Sequence, residues 1–313
     1  MTFTVESQEF IIKQIKKTVD LHIHTNASDG LLEPLQVLRM LRDSGISIFA
    51  ITDHDSVAAI DEVKRRSKIY EMLLISGVEL SAEHEGRDLH FLGYFIDHHN
   101  KRFLDYLYLF KRRRHQRAQE MIEKLEEFNV GITIDQVIER ARNGPIGRPH
   151  IADVMVEEGY VSSRDEAFDK YLNESSLVYV EKYRISADEV INLIHSIGGA
   201  AFLAHPCMSR VTDDTIRQLI NLGLDGIESV HPNHSAQDTI RLDKLADKLG
   251  ILTSGGSDYH GEPGKEESLG VFGADREIVG RIQTYCDKMR PEWIIEEEDE
   301  PEDKADESQE DTQ

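Results

Sequence analysis

The chain has 313 residues, 39% of them hydrophobic and 30% charged, a soluble globular composition long enough for one large α/β domain with an insertion, or for two domains. Its formal net charge of −23 is uneven, because residues 296–313 hold eleven acids and one lysine, −10 in all, leaving −13 on the other 295 residues. A moderately acidic body excludes electrostatic capture of long duplex nucleic acid but not of a small phosphorylated substrate, since bound divalent cations invert the local field. Two cysteines, Cys207 and Cys286, and an opening apolar run of only Phe10-Ile11-Ile12 imply a reducing cytoplasmic setting with no disulfide framework, secretory leader or membrane span.

The first predicted element is a strand over residues 19–24. Val19, Leu21 and Ile23 alternate with Asp20, His22 and His24, so the apolar set faces one way and three ionisable groups the other. Asp29 follows shortly, and two imidazoles with two carboxylates so close together point to a metal site. A polar strand face with satisfied histidines has the same local pattern, so the remaining ligands must come from elsewhere. Pro34 opens a helix with Leu35, Leu38 and Leu41 on one stripe, closed by Gly45. Residues 46–51 are a buried strand ending in Thr52-Asp53-His54-Asp55. A helix from Val57 to about Ser67 follows, then a strand at Leu73-Leu74-Ile75 and a turn at Ser76-Gly77 leading to Val78-Glu79. Residues 89–94 form another short strand, with His90, Leu92 and Tyr94 on one face.

Residues 97–184 read as a helical insertion. Residues 102–127 have helical period and include Lys111-Arg112-Arg113-Arg114, whose simplest reading is a solvated helix face. Gly144-Pro145-Ile146-Gly147-Arg148-Pro149-His150 reads as a constrained loop before a helix over 151–158, which makes Arg148 and His150 candidates to reach a ligand. Regular alternation then resumes. Ser186-Ala187-Asp188-Glu189 is a capping box for a helix with Val190, Leu193, Ile194 and Ile197 inward, stopped by Gly198-Gly199. A strand over 200–204 ends in His205-Pro206. A helix around 215–222 leads to a strand over 226–230 that ends in His231-Pro232-Asn233-His234. A helix through Leu242, Leu245 and Leu249 stops at Gly250, and 251–253 leads to Ser254-Gly255-Gly256-Ser257-Asp258-Tyr259-His260. The acidic tail over 296–313 is expected to be disordered.

Strand after strand thus ends in His, Asp or Glu with helices between, the expectation for a parallel α/β barrel whose strand C-termini build the active site. Residues 1–96 and 185–290 would form the barrel and 97–184 a cap over the substrate. Gathered at one mouth, His22, His24, Asp29, His54, Glu79, His90, His205, Asp258 and His260 are too many ligands for one ion that takes about four. Two or three divalent ions sharing bridging carboxylates would fit. With no thiolate in the set they would be Mn, Zn or Fe. Such a cluster suits hydrolysis at phosphorus, one ion acidifying a water while the others hold phosphate oxygens.

Asp20-Leu21-His22-Ile23-His24, Thr52-Asp53-His54, Gly77-Val78-Glu79, Ala204-His205-Pro206 and Gly256-Ser257-Asp258-Tyr259-His260 resemble the ordered motifs of the polymerase and histidinol phosphatase (PHP) superfamily over about residues 18–280. The resemblance implies a distorted (β/α)7 barrel with a two- or three-metal catalytic centre. It places His22, His24, Glu79 and Asp258 on one ion, Glu79, His90 and His205 on a second, and Asp29, His54 and His260 on a third. Asp20 is expected to orient a ligand imidazole from behind. The insertion and His231-Pro232-Asn233-His234 further resemble stand-alone nucleoside 3',5'-bisphosphate phosphatases, a group that also trims short RNA from the 5' end. That likeness implies a small nucleotide or short oligonucleotide as substrate. Arg148 would clamp a phosphate as a planar fork, with His150, His231 and His234 in the same substrate-binding set. Two other readings use the same motifs, a histidinol-phosphate phosphatase and a non-catalytic binding module. None of the nine ligand positions is substituted, which speaks against the second.

Overall fold

The computed structural model describes residues 18–142 and 144–289, so the acidic tail lies outside the described residues. Seven strands, β1 (Val19–Asp20), β2 (Ile48–Ile51), β3 (Leu73–His84), β4 (Arg87–Tyr94), β5 (Ala200–Leu203), β6 (Gly226–Val230) and β7 (Leu252–Gly255), pair in chain order around one sheet. The sheet nearly closes on itself. Leu21 N–H donates to the Gly255 carbonyl (3.2 Å) and His24 N–H to that of Tyr259 (2.9 Å), so the last strand lies beside the first. Only two residues of the strand expected over 19–24 pair regularly, yet the alternation holds: Leu21 and Ile23 join apolar clusters while His22 and His24 belong to the polar interior.

Between β1 and β2 runs α1 (Pro34–Asp43), with Val37, Leu38 and Leu41 buried, and α2 (Ile60–Ser67) precedes β3. Both pack on Phe49 and Ile51 of β2. The expected turn at Ser76-Gly77 is absent, because β3 runs straight through it. Gly77 is needed there for close approach: a Cβ would meet the Ile51 carbonyl oxygen and Thr52 Cγ2 at 3.0 Å. The chain reverses instead at Glu85-Gly86, where both residues have positive φ (51° and 79°), the geometry of a two-residue hairpin turn. Consequently β4 is antiparallel to both neighbours while the other pairings are parallel. This reversed strand is the distortion in an otherwise regular α/β barrel.

In the inserted segment, α3 (Lys101–Glu126), α4 (Ile134–Ala141), α5 (Arg148–Glu157) and α6 (Arg164–Ala167) build a core of their own around Met121, Leu125, Val137, Ile151 and Met155. Helix α3 serves two cores. Phe103, Leu107 and Phe110 of its first half pack with Val78, Leu80 and Phe91 of the barrel, whereas Ala118, Met121, Ile122 and Leu125 pack in the insertion. The residues read as a loop at Arg148-Pro149-His150 are the first turn of α5. Gly147 caps it and Pro149 supplies a pre-set φ where no N–H is required.

After the insertion come α7 (Ala187–Ser196), α8 (Asp213–Asn221), α9 (Ala236–Leu249) and α10 (Arg276–Met289). The Ser186 capping box forms as expected: its hydroxyl accepts from Glu189 N–H (3.2 Å) while Glu189 accepts from Ser186 N–H (2.9 Å). Among the described residues no helix is long and apolar enough to cross a membrane, and neither cysteine forms a disulfide.

Candidate metal centre

The parallel strands deliver their last residues, or the turn just past them, to one end of the barrel, and the predicted ligands meet there. His22 Nε2 lies 3.2 Å from Glu79 Oε2 and 3.3 Å from Asp258 Oδ1, and His24 Nε2 lies 3.2 Å from each of the same two oxygens. Four donors about 2.0–2.1 Å from a central ion form a tetrahedron with edges of about 3.3–3.4 Å. These atoms already outline one. Hydrogen bonding does not explain the arrangement, since both ring nitrogens of the wholly buried His24 lack a hydrogen-bond partner.

Glu79 is the hub. Its Oε1 lies 2.9 Å from His90 Nδ1 and 3.0 Å from His205 Nε2, and its Oε2 lies 3.3 Å from His54 Nδ1. Asp29 anchors the outer edge, 3.4 Å from His260 Nε2, 3.7 Å from His24 Nδ1 and 3.8 Å from His54 Nε2. Three overlapping groups could therefore hold ions: His22, His24, Glu79 and Asp258; His54, Glu79 and His90; and His24, Asp29, His54 and His260. His205 adds its nitrogen to the Glu79 oxygen that His90 meets.

The electrostatics match this packing. Burial opposes charge on Glu79, but the surrounding imidazoles outweigh it and hold the carboxyl well below its ordinary range. Burial likewise opposes a proton on His24, yet Asp258 and Glu79 raise its pKa to about 10. His54 goes the other way, pushed by burial down to about 3. Two of the predicted ligands also sit in the left-handed backbone region, His205 (φ 29°) past β5 and Asp258 (φ 48°) past β7. Such conformations cost about 1–3 kcal/mol each and persist where the surrounding structure enforces them.

The support around the ligands differs in one respect from expectation. Asp20 does not touch an imidazole; its Oδ1 accepts from the backbone N–H of His22 (3.3 Å) and Ser257 (2.9 Å), tying the first strand end to the last. Glu228 of β6 does the orienting. Its Oε1 lies 2.9 Å from His22 Nδ1 and its Oε2 accepts from His205 N–H at 2.8 Å, so one buried carboxylate fixes a ligand ring and a ligand backbone. The only signal in the sequence was a carboxylate in the middle of a short strand, between Ile227 and Ser229. Asp53 supports Asp29 from below, accepting from Thr25 N–H, Thr25 Oγ and Ser28 Oγ at 2.7–2.8 Å and so pinning the loop that carries it.

The expected substrate contacts are scattered. His231 has both ring nitrogens engaged, Nε2 3.1 Å from Asp258 Oδ2 and Nδ1 accepting from Asn233 N–H (3.0 Å), so it steadies a ligand and has no nitrogen left for a substrate. His234 holds the Ser229 carbonyl through Nδ1 (3.0 Å), and its buried Nε2 is unpartnered. His150 Nδ1 accepts from Gly147 N–H (3.1 Å). Burial depresses the pKa of His150 against the pull of the Asp153 and Asp29 carboxylates. Arg148 donates to the Leu172 carbonyl (3.1 Å) and lies over the Phe168 and Tyr179 rings, contacts that stay within residues 97–184. A cleft of about 590 Å³ opens on the cluster, lined by Asp29, Asp258 and His260 together with Arg164 and Lys265, two cations that the sequence reading missed. The inserted segment touches the rim directly, since a Cβ on Gly144 would fall 2.0 Å from the Ser28 carbonyl oxygen.

A nearly closed α/β barrel whose strand ends gather imidazoles and carboxylates around one shared glutamate has the makings of a multinuclear metal-dependent hydrolase. The sequence model of the PHP domain matches residues 20–233. The 5'-3' exoribonuclease of Haemophilus influenzae is 33% identical over 248 residues, 78% of this chain and 90% of the relative. The 3',5'-nucleoside bisphosphate phosphatase of Chromobacterium violaceum is 29% identical over 282 residues, 88% of this chain and 95% of the relative. Among solved structures, a protein from Bifidobacterium adolescentis described as a metal-dependent phosphoesterase superposes with a TM-score of 0.72 at 31% identity, covering 86% of this chain and 96% of that one. The chain belongs to the PHP domain family and is by class a metal-dependent phosphoesterase.

Proposed function

We propose that this phosphoesterase removes a phosphate from a nucleoside 3',5'-bisphosphate and trims short RNA from the 5' end, at a centre of two or three Mn, Zn or Fe ions. The observation that carries the reading is the overlap of three donor groups through Glu79, His24 and His54, beside a cleft that also offers Arg164 and Lys265. The names of the relatives from Haemophilus influenzae and Chromobacterium violaceum support the substrate class. Divalent ions held there would supply a water acidic enough to attack phosphorus at neutral pH and would neutralise phosphate oxygens.

In this reading His22, His24, Glu79 and Asp258 hold one ion, Asp29, His54 and His260 another, and His90 and His205 with Glu79 a third. Glu228 and His231 keep the ligands in position. Arg164, bound to the Asp153 carboxylate through Nη2 at 2.5 Å, faces the cleft as a phosphate donor from the cap. The test is a substrate panel with Mn²⁺: phosphate release from adenosine 3',5'-bisphosphate should far exceed that from histidinol phosphate and stop with chelator. The reverse ranking would sink the substrate assignment.

A further inference from the structure

Lys111, Arg112 and Arg113 of the basic run on α3 are exposed, the solvated face expected from the sequence, but the fourth cation is not. Arg114 turns inward: its Nη2 donates to Asp55 Oδ2 (2.9 Å) and Ser81 Oγ (3.2 Å), and its buried Nε has no partner. Asp55 follows the ligand His54, and Ser81 pairs across the hairpin with His90, so Arg114 sits at the back of the metal cluster. From there a groove of about 420 Å³ runs between α3 and the returning segment, with Arg113, Arg117 and Glu120 on one wall and Glu181, Lys182, Tyr183 and Arg184 on the other, four cations to two acids. A smaller hollow joins it to Arg114 and to Ile146 of the loop whose Gly144 abuts Ser28.

Cations and rings are interleaved along this groove. Arg113 lies over the Tyr183 ring (5.5 Å) and Arg117 over the Tyr179 ring (5.4 Å), with Arg117 Nε donating to the Val180 carbonyl (2.8 Å). Among the described residues no carboxylate pairs with Arg113 or Arg117, although the chain as a whole carries −23; Lys182 and Arg184 do meet acids, Asp88 at 3.1 Å and Glu83 at 4.0 Å. Arg113 and Arg117 are one helical turn, about 6 Å, apart, a spacing comparable with that of successive phosphates in an extended strand. Crowding shows as well: burial, then Arg148, depress the Arg117 pKa, and burial does the same to Lys182. Unpaired guanidinium groups beside aromatic faces are the composition that holds a single strand, phosphates on the cations and bases on the rings.

We propose that this groove binds the downstream phosphates and bases of a short single-stranded RNA whose 5' end lies at the metal centre. The inference rests on the nucleotide reading of that centre and extends it from a mononucleotide site to an oligonucleotide track. The experiment uses the metal-loaded full chain and a hydrolysis-resistant phosphorothioate tetraribonucleotide with a 3' fluorophore, followed by anisotropy at several salt concentrations. Arg113→Glu and Lys182→Ala should each weaken its binding at least tenfold and flatten the log Kd against log salt slope by about 0.7 per lost contact. Both variants should hydrolyse adenosine 3',5'-bisphosphate within twofold of the parent. Tetranucleotide binding within twofold of the parent, or an equal loss on both substrates, would overturn the groove. Groove binding without any turnover of the bisphosphate would instead overturn the mononucleotide reading and leave the groove standing.

Discussion

At the barrel mouth Glu79 is wholly buried and meets five imidazoles, whereas on the inserted segment Arg113 and Arg117 meet aromatic rings and a carbonyl. The two regions solve the problem of clustered like groups in different ways. Imidazoles can be neutral, so several can crowd a carboxylate and wait for a cation. Guanidinium groups cannot lose their protons and so must stay near solvent or an anion. The barrel site is therefore suited to fixed ions, and the helical region, on the groove proposal, to an exchangeable polyanion.

The sharpest way to break this contrast is Glu79→Gln. It removes the charge shared by two of the three candidate ion groups, the third being His24, Asp29, His54 and His260, so bound metal should fall to at most one ion per chain by elemental analysis and turnover should fall by several orders of magnitude. Retained metal and activity would show that Glu79 is not the hub. Next is Glu228→Gln, which leaves every ligand in place but weakens the hold on His22 Nδ1 and His205 N–H. Metal affinity or activity should drop about 10–100-fold, measured by competition with a chromophoric chelator. Affinity should also rise with pH. In the metal-free site His24 carries a proton because Asp258 and Glu79, against burial, raise its pKa to about 10, so an ion must displace it. Each displaced proton strengthens binding by up to tenfold per pH unit below that value, and a pH-independent Kd would contradict the arrangement. The smallest effect on chemistry should come from Leu125→Ala in the other core. It should cost about 2–5 kcal/mol of stability by chemical denaturation while metal content stays unchanged, and a parallel loss of metal would show that the two regions are not separable.

Much of the barrel site was legible because strand alternation and strand ends are sequence-local. His22 and His24 on one face of an apolar strand, and His54, Glu79, His205 and Asp258 at or just past other strand ends, leave few ways to face except together. What escaped depends on direction rather than pattern. The period-two alternation of residues 89–94 is the same whichever way the strand runs, so only the Glu85-Gly86 turn discloses that β4 is reversed. Asp20 and Glu228 are both carboxylates within short buried strands. Which of them reaches an imidazole is decided by side-chain orientation across the barrel, and Asp20 turns to backbone N–H groups instead. Arg148 and Arg164 show the same limit in the helical region. Pro149 starts a helix that commits Arg148 to the Leu172 carbonyl, and the cleft receives Arg164 from the next helix.

Helix α3 is rooted in both apolar cores, through Phe103, Leu107 and Phe110 at one end and Met121, Ile122 and Leu125 at the other. A continuous helix of 26 residues, roughly 39 Å long, works as a strut. The helix thereby ties the inserted segment to the barrel at one side, and the contact of Gly144 with the Ser28 backbone ties it at another. A segment tied at both places works as a gauge, so lengthening the loop at Gly144 should change which molecules are cleaved more than how fast the best of them is.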